Sequence, residues 1–175
     1  MQFSGIFLQD LDFRFSSNER AFVYNVMAGN LSVRRDRAIA MGGFDERFIG
    51  AAYRFETDFA RRLIGAGGMI RFEPAASIRH LKLETGGLRS FGDHRKSASP
   101  VHAVGDYYFC LLHANEDERG RYIRRRLRQN ILTRSHLAHP WWIPPKIVGE
   151  MRGLLEARRL VREGRLLIKA ESQER

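Results

Sequence analysis

Two carboxylates stand close together in the segment FETDFARRL. Its apolar spacing predicts a helix over residues 56–66, with Glu56 and Asp58 in the first turn. Free backbone N–H groups and the helix dipole favour an ionised carboxylate there, and such a group can act as a general base. Because an i,i+2 spacing turns two side chains about 200° apart, only one of them can face a given cleft. The alternative for both is a charge that stabilises the helix start, and Asp58 could also pair with Arg61 or Arg62.

A second group of polar side chains lies in the segment GNLSVRR. Asn30 and Ser32 could position a substrate through hydrogen bonds, and Arg34 and Arg35 could bind phosphate groups. The alternative for Asn30 is a turn in which Asn adopts the left-handed conformation. The alternative for the two arginines is a pair of solvated charges at the start of a helix.

Four segments follow one another in this part of the chain. They are GNLSVRR (29–35), GGFDERF (42–48), FETDFARRL (55–63) followed by GAGG, and RFEPAASIRHLK (71–82). In this order and at this spacing they resemble the acceptor-side half of family 2 glycosyltransferases, which have the GT-A fold. The resemblance is looser from there to about residue 115.

The resemblance implies inverting transfer of a sugar from a nucleotide sugar to an acceptor hydroxyl. The second member of the family's acidic pair, its proposed base, falls on Glu56, and Phe55 stands in place of the first member. Asp58 would then support Glu56. The resemblance also implies that Asp45 and Glu46 occupy positions that lie near the acceptor in this family.

The resemblance also implies a divalent metal cofactor, Mn²⁺ or Mg²⁺. His80, at the end of a predicted strand, would contact the metal or the diphosphate, since neutral imidazole is a good ligand, although a structural or surface role is the alternative. The pair Asp10 and Asp12 matches the family's Asp-x-Asp metal motif in residue type. Only nine residues precede Asp10, however, too few for a nucleotide-binding βαβ half, so we interpret this pair as a strand edge. We therefore expect the main carboxylate ligands and the nucleotide-binding half to be missing, as in a truncated product, an incomplete gene model or one half of a split enzyme.

The other histidines and the cysteine do not have the spacing of a metal site. Cys110 is the only cysteine, which excludes a disulfide framework or a multi-cysteine zinc site and fits a reducing compartment. We expect a cytoplasmic protein. The histidines that we do not expect to be ligands are His94, His102, His113, His136 and His139.

The hydrophobic pattern predicts an α/β fold. We expect a partial GT-A-like domain of short strands with helices over residues 1–115, followed by a basic helical extension over residues 116–175. The predicted helices are 36–41, 56–66, 101–114, 119–132 and 146–168, with a polar break over 133–140 and an aromatic-proline hinge over 141–145. The predicted strands are one or two within 1–24, a β-prone stretch at 31–33, and 69–72 and 76–80.

The charge of the chain is unevenly distributed. The net charge is +10, yet residues 1–118 hold 15 basic and 15 acidic side chains, and residues 119–175 hold 15 basic and five acidic ones. The chain is therefore a neutral body with a basic tail. No run of about 18 apolar residues is present, so we expect no membrane-spanning helix.

The basic tail has two interpretations. Its arginines and tryptophans are typical of an element that lies on an anionic membrane surface. The alternative is a helix that packs on the protein itself or on a partner and leaves its arginines solvated. Nucleic acid is not an expected partner because no nucleic-acid motif is present. The residues concerned are Arg121, Arg124, Arg125, Arg126, Arg128, Trp141 and Trp142.

Taken together, the sequence predicts a family 2-like glycosyltransferase chain. Its expected partners are a nucleotide sugar, a glycan or lipid-linked acceptor, a donor-side half and an anionic membrane surface at which the protein would be peripheral. The alternative is a non-catalytic basic protein that binds a membrane surface or a partner.

Overall fold

We describe a computed structural model of the chain over residues 5–7, 11, 13–15, 19–79 and 91–169. Contacts divide these residues into two compact units. The first takes the described residues of Met1–Glu46, Phe55–His80 and Leu166–Arg175, and the second takes those of Arg47–Arg54 and Leu81–Arg165. This division differs from the predicted one between residues 115 and 116.

The first unit contains two antiparallel strand pairs and two helices. Strand β1 (Gly5–Phe7) pairs with β2 (Phe13–Phe15), and β3 (Ala21–Val23) pairs with β4 (Ile70–Phe72) in a register that sets Phe22 opposite Arg71. The helices are α1 (Arg35–Ala40) and α2 (Phe55–Gly65). The mixed α/β composition and the predicted helices 36–41 and 56–66 are thus confirmed.

Two predicted strands of this unit are wrong. Residues 31–33 form no strand, and residues 76–79 follow β4 as turns and irregular chain, where the backbone N–H of Ala76 donates to the carbonyl of Glu73. A short apolar run without a paired neighbour cannot satisfy its backbone groups as a strand, and these stretches are largely exposed instead.

The second unit is built from four helices. They are α3 (Val104–His113), α4 (Glu116–Ile131), α5 (Arg134–Ala138) and α6 (Ile143–Glu163). Helix α3 packs along α6, and α4 contacts both. The aromatic run of α3 is fully buried, as are Ala157 and Leu160 of α6, so the core of this unit lies between these two helices.

Small residues permit the close approach of α6 to its neighbours. A Cβ added to Gly153 would lie 2.5 Å from Cβ of Ala103, and one added to Gly149 would lie 2.7 Å from the carbonyl oxygen of Ser97. Side chains at these two positions would force the helix away from residues that precede α3.

The helix ends differ from their predicted positions for local reasons. Helix α4 begins earlier because Asn115 and Glu118 form a reciprocal capping box. Helix α6 begins at Ile143 because two prolines fit the first turn, where no intrahelical N–H is needed, and it ends before Gly164, whose φ is +78°. The predicted break over 133–140 contains α5, which Thr133 caps.

The length and hydropathy of a helix decide whether it can cross a lipid bilayer. No helix among the described residues combines the length and apolar character that a bilayer-crossing segment requires.

Candidate functional site

The start of α2 positions the two predicted carboxylates differently. Glu56 and Asp58 both lie in the first turn. Glu56 is half-buried, whereas Asp58 is completely buried. This difference follows from their angular separation on the helix, which turns Asp58 into the core of the first unit and leaves Glu56 nearer to its surface.

Asp58 pairs with Arg62, four residues later on the same helix. Nε of Arg62 donates to Oδ2 of Asp58 at 2.9 Å. The same guanidinium donates from Nη1 to the carbonyl of Met41 at 2.6 Å and from Nη2 to the carbonyl of Gly43 at 2.7 Å. Asp58 thus orients Arg62, and Arg62 fixes the turn after α1 to α2. The sequence left Arg61 and Arg62 open as partners of Asp58, and this geometry assigns Arg62.

Aromatic packing strengthens the same junction. The ring of Phe44 lies 5.2 Å from that of Phe55 and 4.7 Å from that of Phe59, measured between centroids. Phe55 opens α2, so its ring and that of Phe59 hold Phe44 against the first turn of this helix. The GGFDE segment therefore lies directly against the start of α2.

Asp45 is held inside the first unit and has a positioning role. It is 2% exposed, and its Oδ1 accepts the backbone N–H of Leu166 at 3.0 Å. The backbone N–H of Glu46 donates to the carbonyl of Leu166, also at 3.0 Å. The Glu46 side chain is exposed, so of this pair Glu46 is the one that a substrate can reach.

Packing explains the two glycines before Asp45. Gly42 and Gly43 have φ values of +78° and +66°, and a Cβ at either position would lie 2.8 Å from the side chain of Leu167 or Ile168. These glycines satisfy both the left-handed backbone and the close approach of the chain.

The GNLSVRR segment contributes a structural contact and exposed polar groups. Nδ2 of Asn30 donates to the carbonyl of Ala76 at 2.6 Å, which ties this segment to the chain after β4. Asn30 ends a 3₁₀ turn and does not have the left-handed backbone that was one interpretation. Ser32 and Arg35 are exposed, and Arg34 is exposed and paired with Asp36 at 2.9 Å.

The predicted metal contact His80 lies outside the described residues, and so do Asp10 and Asp12, the pair that we interpret as a strand edge. Within the described ranges, no three His, Cys, Asp or Glu side chains come together in a way that could hold a metal ion.

Two of the remaining histidines have clear structural contacts. His136 is buried, with Nδ1 2.7 Å from Oγ1 of Thr133 and Nε2 donating to the carbonyl of Arg95 at 2.8 Å. Nε2 of His102 lies 3.2 Å from the carbonyl of Phe91, to which it donates. Both rings join separate segments of the second unit.

A buried ion network in the second unit was not predicted. It consists of Arg54, Asp106, Arg126, Lys146 and Glu150. Arg126 bonds both carboxylates, with Nε 2.8 Å from Oε2 of Glu150 and Nη1 donating to Oδ2 of Asp106. Nε of Arg54 donates to Oδ1 of Asp106 at 2.9 Å, and Nζ of Lys146 lies 2.8 Å from Oε1 of Glu150.

The network changes the interpretation of the basic helix. Arg126 is buried, so the prediction that groups it with the surface arginines is wrong for this residue. Arg121, Arg124 and Arg128 are exposed, in agreement with their assignment to a surface. The signal in the sequence is the spacing of Arg126 four residues after Tyr122, because both occupy the buried side of α4.

Electrostatics keep the two carboxylates of the network ionised. Burial raises the pKa of Asp106, but the charges of Arg126 and Arg54 lower it by more, so this pKa lies below its ordinary value. Burial likewise raises the pKa of Glu150, and Arg126 with Lys146 lowers it further than burial raises it.

Two tyrosines complete the network. The hydroxyl of Tyr107 donates to Oε2 of Glu150 at 2.8 Å, and that of Tyr122 donates to Oδ1 of Asp106 at 2.6 Å. Burial and the adjacent carboxylates raise the pKa of both hydroxyls. With every member bonded, the network orders the second unit.

Comparison of the chain with protein families, with curated proteins and with solved structures finds no match in any of the three.

Proposed function

We propose that the first unit forms the acceptor side of an inverting glycosyltransferase of the family 2 type, with a partial GT-A fold. The observation that supports this proposal is that the four resembling segments meet pairwise, and that their described residues other than Arg47 and Phe48 belong to one compact unit. Asn30 ties the first segment to the fourth, and Arg62 ties the second to the third. These contacts join residues up to 46 positions apart, so chain proximity alone does not produce them.

In this proposal, Glu56 is the catalytic base. As the acceptor oxygen attacks the anomeric carbon of the nucleotide sugar, the bond from that carbon to the diphosphate breaks and the acceptor proton passes to Glu56. Attack opposite the leaving group inverts the configuration. The amino end of a helix favours a carboxylate over a carboxylic acid, and the carboxylate is the form that a base requires.

Asp58 acts as a positioning residue. It is buried and bonded to Arg62, so it has no access to an acceptor, and through Arg62 it holds the Gly42–Gly43 turn against α2. That turn carries the chain to Glu46, whose exposed side chain we assign to the acceptor. Asp45 has a similar positioning role through Leu166.

The exposed polar residues of the GNLSVRR segment are the remaining substrate contacts. We assign Ser32 and Arg35 to hydrogen bonds with the sugar or phosphate groups. Arg34 would have to leave Asp36 before it could bind a phosphate. The acceptor in this proposal is a glycan or a lipid-linked saccharide, and the donor-side residues come from a second part that completes the site.

The test compares two Glu-to-Gln changes at helix starts. A tagged chain is expressed in its source cells, purified with whatever accompanies it, and assayed for nucleoside diphosphate release from a panel of nucleotide sugars with Mn²⁺ or Mg²⁺. Glu56→Gln should lower the rate by about 100-fold or more, as expected for loss of a general base. Glu116→Gln, an exposed residue in the first turn of α4, is the matched control and should retain the rate.

Two results would overturn the proposal. One is full activity of the Glu56→Gln protein, which would show that Glu56 is not the catalytic base. The other is the absence of diphosphate release from every nucleotide sugar tested with the unmodified protein and its companions.

A further inference from the structure

Helix α6 presents an exposed stripe of large apolar side chains. Ile147, Met151 and Leu155 recur every four residues, which places them on one side of the helix, and Val148 flanks them. Met151 and Leu155 are 60% and 61% exposed. The opposite side carries the small and buried residues that pack in the second unit, including Gly149, Gly153 and Ala157. The stripe is therefore not used by the packing of this unit.

The same stripe becomes cationic towards the end of the helix. Arg158 and Arg162 continue the spacing of three and four residues after Leu155, and both are exposed. Arg159 lies beside them and is paired with Glu156 and Glu163. One side of α6 thus offers about three apolar turns followed by about two cationic turns.

An aromatic side chain lies immediately before the stripe. Trp141 belongs to the 3₁₀ turn that leads into α6, and it is 64% exposed. Tryptophan favours the boundary between water and lipid because its ring is apolar and its N–H is polar. Helix α4 of the same unit adds exposed cations at Arg121, Arg124 and Arg128.

We propose that this α6 stripe, defined as Ile147, Met151, Leu155, Arg158 and Arg162, docks on an anionic lipid membrane. The apolar turns would enter the boundary between headgroups and acyl chains, and the arginines would bind lipid phosphates. Charge complementarity selects this occupant, because the excess of ten positive charges lies in residues 119–175. This inference is independent of the proposed sugar transfer, which concerns residues of the first unit.

The chemistry of the stripe disfavours two other occupants. A second copy of the chain docked parallel would bring the same arginines towards each other, and like charges at close range repel. Docked antiparallel, it would bury the arginines of each copy against the apolar turns of the other, which costs desolvation of those charges. A nucleic acid backbone would engage the arginines but would leave the exposed Met151 and Leu155 without an apolar partner.

The test measures binding to vesicles by co-sedimentation. The full chain is mixed with vesicles of phosphatidylcholine alone, or of phosphatidylcholine with an equal amount of phosphatidylglycerol. We expect binding to the anionic vesicles that weakens as salt is added, and little binding to the neutral ones. Met151→Ala with Leu155→Ala should lower the partition coefficient by at least about tenfold. Arg158→Gln should lower it about fivefold, as expected for one basic residue near an anionic surface.

A matched control separates this stripe from exposed apolar area in general. Met69→Ala removes the same side chain from an exposed position in the first unit, and it should leave vesicle binding unchanged. Absence of binding to the anionic vesicles, or unchanged binding of the double alanine variant, would overturn the proposal. So would a dimer in solution that the double variant dissociates, or duplex DNA binding that it abolishes, because either result would assign the stripe to another occupant.

Discussion

Replacement of Glu150 by Gln should strongly destabilise the second unit. Glu150 accepts bonds from Arg126, Lys146 and Tyr107 and is 2% exposed. The buried ion network holds three cations against two carboxylates, so the substitution leaves three cations against one. Removal of one partner from a buried ion pair destabilises a protein by about 3–5 kcal/mol, and we expect Glu150→Gln to fall in this range.

Replacement of Lys146 should have a smaller effect. Lys146→Met keeps the apolar stem of the side chain and leaves two cations against two carboxylates, so the charges remain balanced. We expect a loss of about 1–2 kcal/mol for the hydrogen bond to Glu150. In the double variant, removal of Lys146 also removes one uncompensated cation, so the combined loss should be smaller than the sum of the two single losses.

The assay is urea unfolding followed by tryptophan fluorescence. Both tryptophans of the chain, Trp141 and Trp142, belong to the second unit, so their emission reports on it. With a slope of about 2 kcal/mol per molar urea, a loss of 4 kcal/mol lowers the midpoint by about 2 M. Glu156→Gln is the matched control on the same helix, and its partly exposed pair with Arg159 should contribute less than about 1 kcal/mol.

Acid should remove part of the same stability. Because the pKa of Glu150 is lowered in the folded protein, its contribution is present above the ordinary value of 4.5 and is lost as the pH falls through the folded value. The Glu150→Gln protein should therefore lose less stability on acidification than the unmodified protein. If Lys146→Met were as destabilising as Glu150→Gln, or if the two changes were additive, the balance of charge in the network would not determine its stability.

Three further predictions concern other parts of the chain. Arg62→Met should destabilise the first unit by about 3 kcal/mol, because it leaves Asp58 buried without this guanidinium; thermal unfolding followed by circular dichroism measures the loss. Addition of Asp58→Asn to this variant should have little further effect. An additive loss would contradict the pairing of the two residues. Gly153→Ala should destabilise the second unit by about 1–3 kcal/mol because the added Cβ would meet Ala103. Gly120→Ala should stabilise α4 by about 0.5–1 kcal/mol because no atom lies within 4 Å of the added Cβ. Equal effects of the two substitutions in urea unfolding would contradict the close packing at Gly153. Burial raises the pKa of the Cys110 thiol to about 11, so Cys110 should react with a thiol reagent only at the rate of unfolding, and rapid modification of the folded protein would contradict its burial.

The sequence predicts local structure well where one segment contains the whole signal. Helix α2 could be predicted from its apolar spacing, and the carboxylates in its first turn could be placed by counting residues. Helix α1 and its closure at Gly42 and Gly43 follow from the same kind of local pattern. Strand β4 is also found, whereas residues 76–79 were misassigned because strand formation depends on a neighbour that the local sequence does not show.

The partners of charged residues could not be predicted in the same way. In the sequence, Arg126 cannot be distinguished from the other arginines of α4. It is buried because Asp106 and Glu150, on two other helices, lie beside it in the fold. Similarly, the bond from Asn30 to the carbonyl of Ala76 joins segments whose meeting depends on the rest of the chain.

The helix that contains Glu56 and Asp58, the order of the four resembling segments and the concentration of positive charge after residue 118 all follow from the amino-acid sequence. Helical periodicity and charge are properties of neighbouring residues, so they can be read without a fold. The packed fold is needed to show that Asp58 is buried and paired with Arg62, that Arg126 belongs to an ion network, and that Met151 and Leu155 face outwards. These outcomes depend on which surfaces pack against each other, because burial and pairing are set by residues distant in the chain.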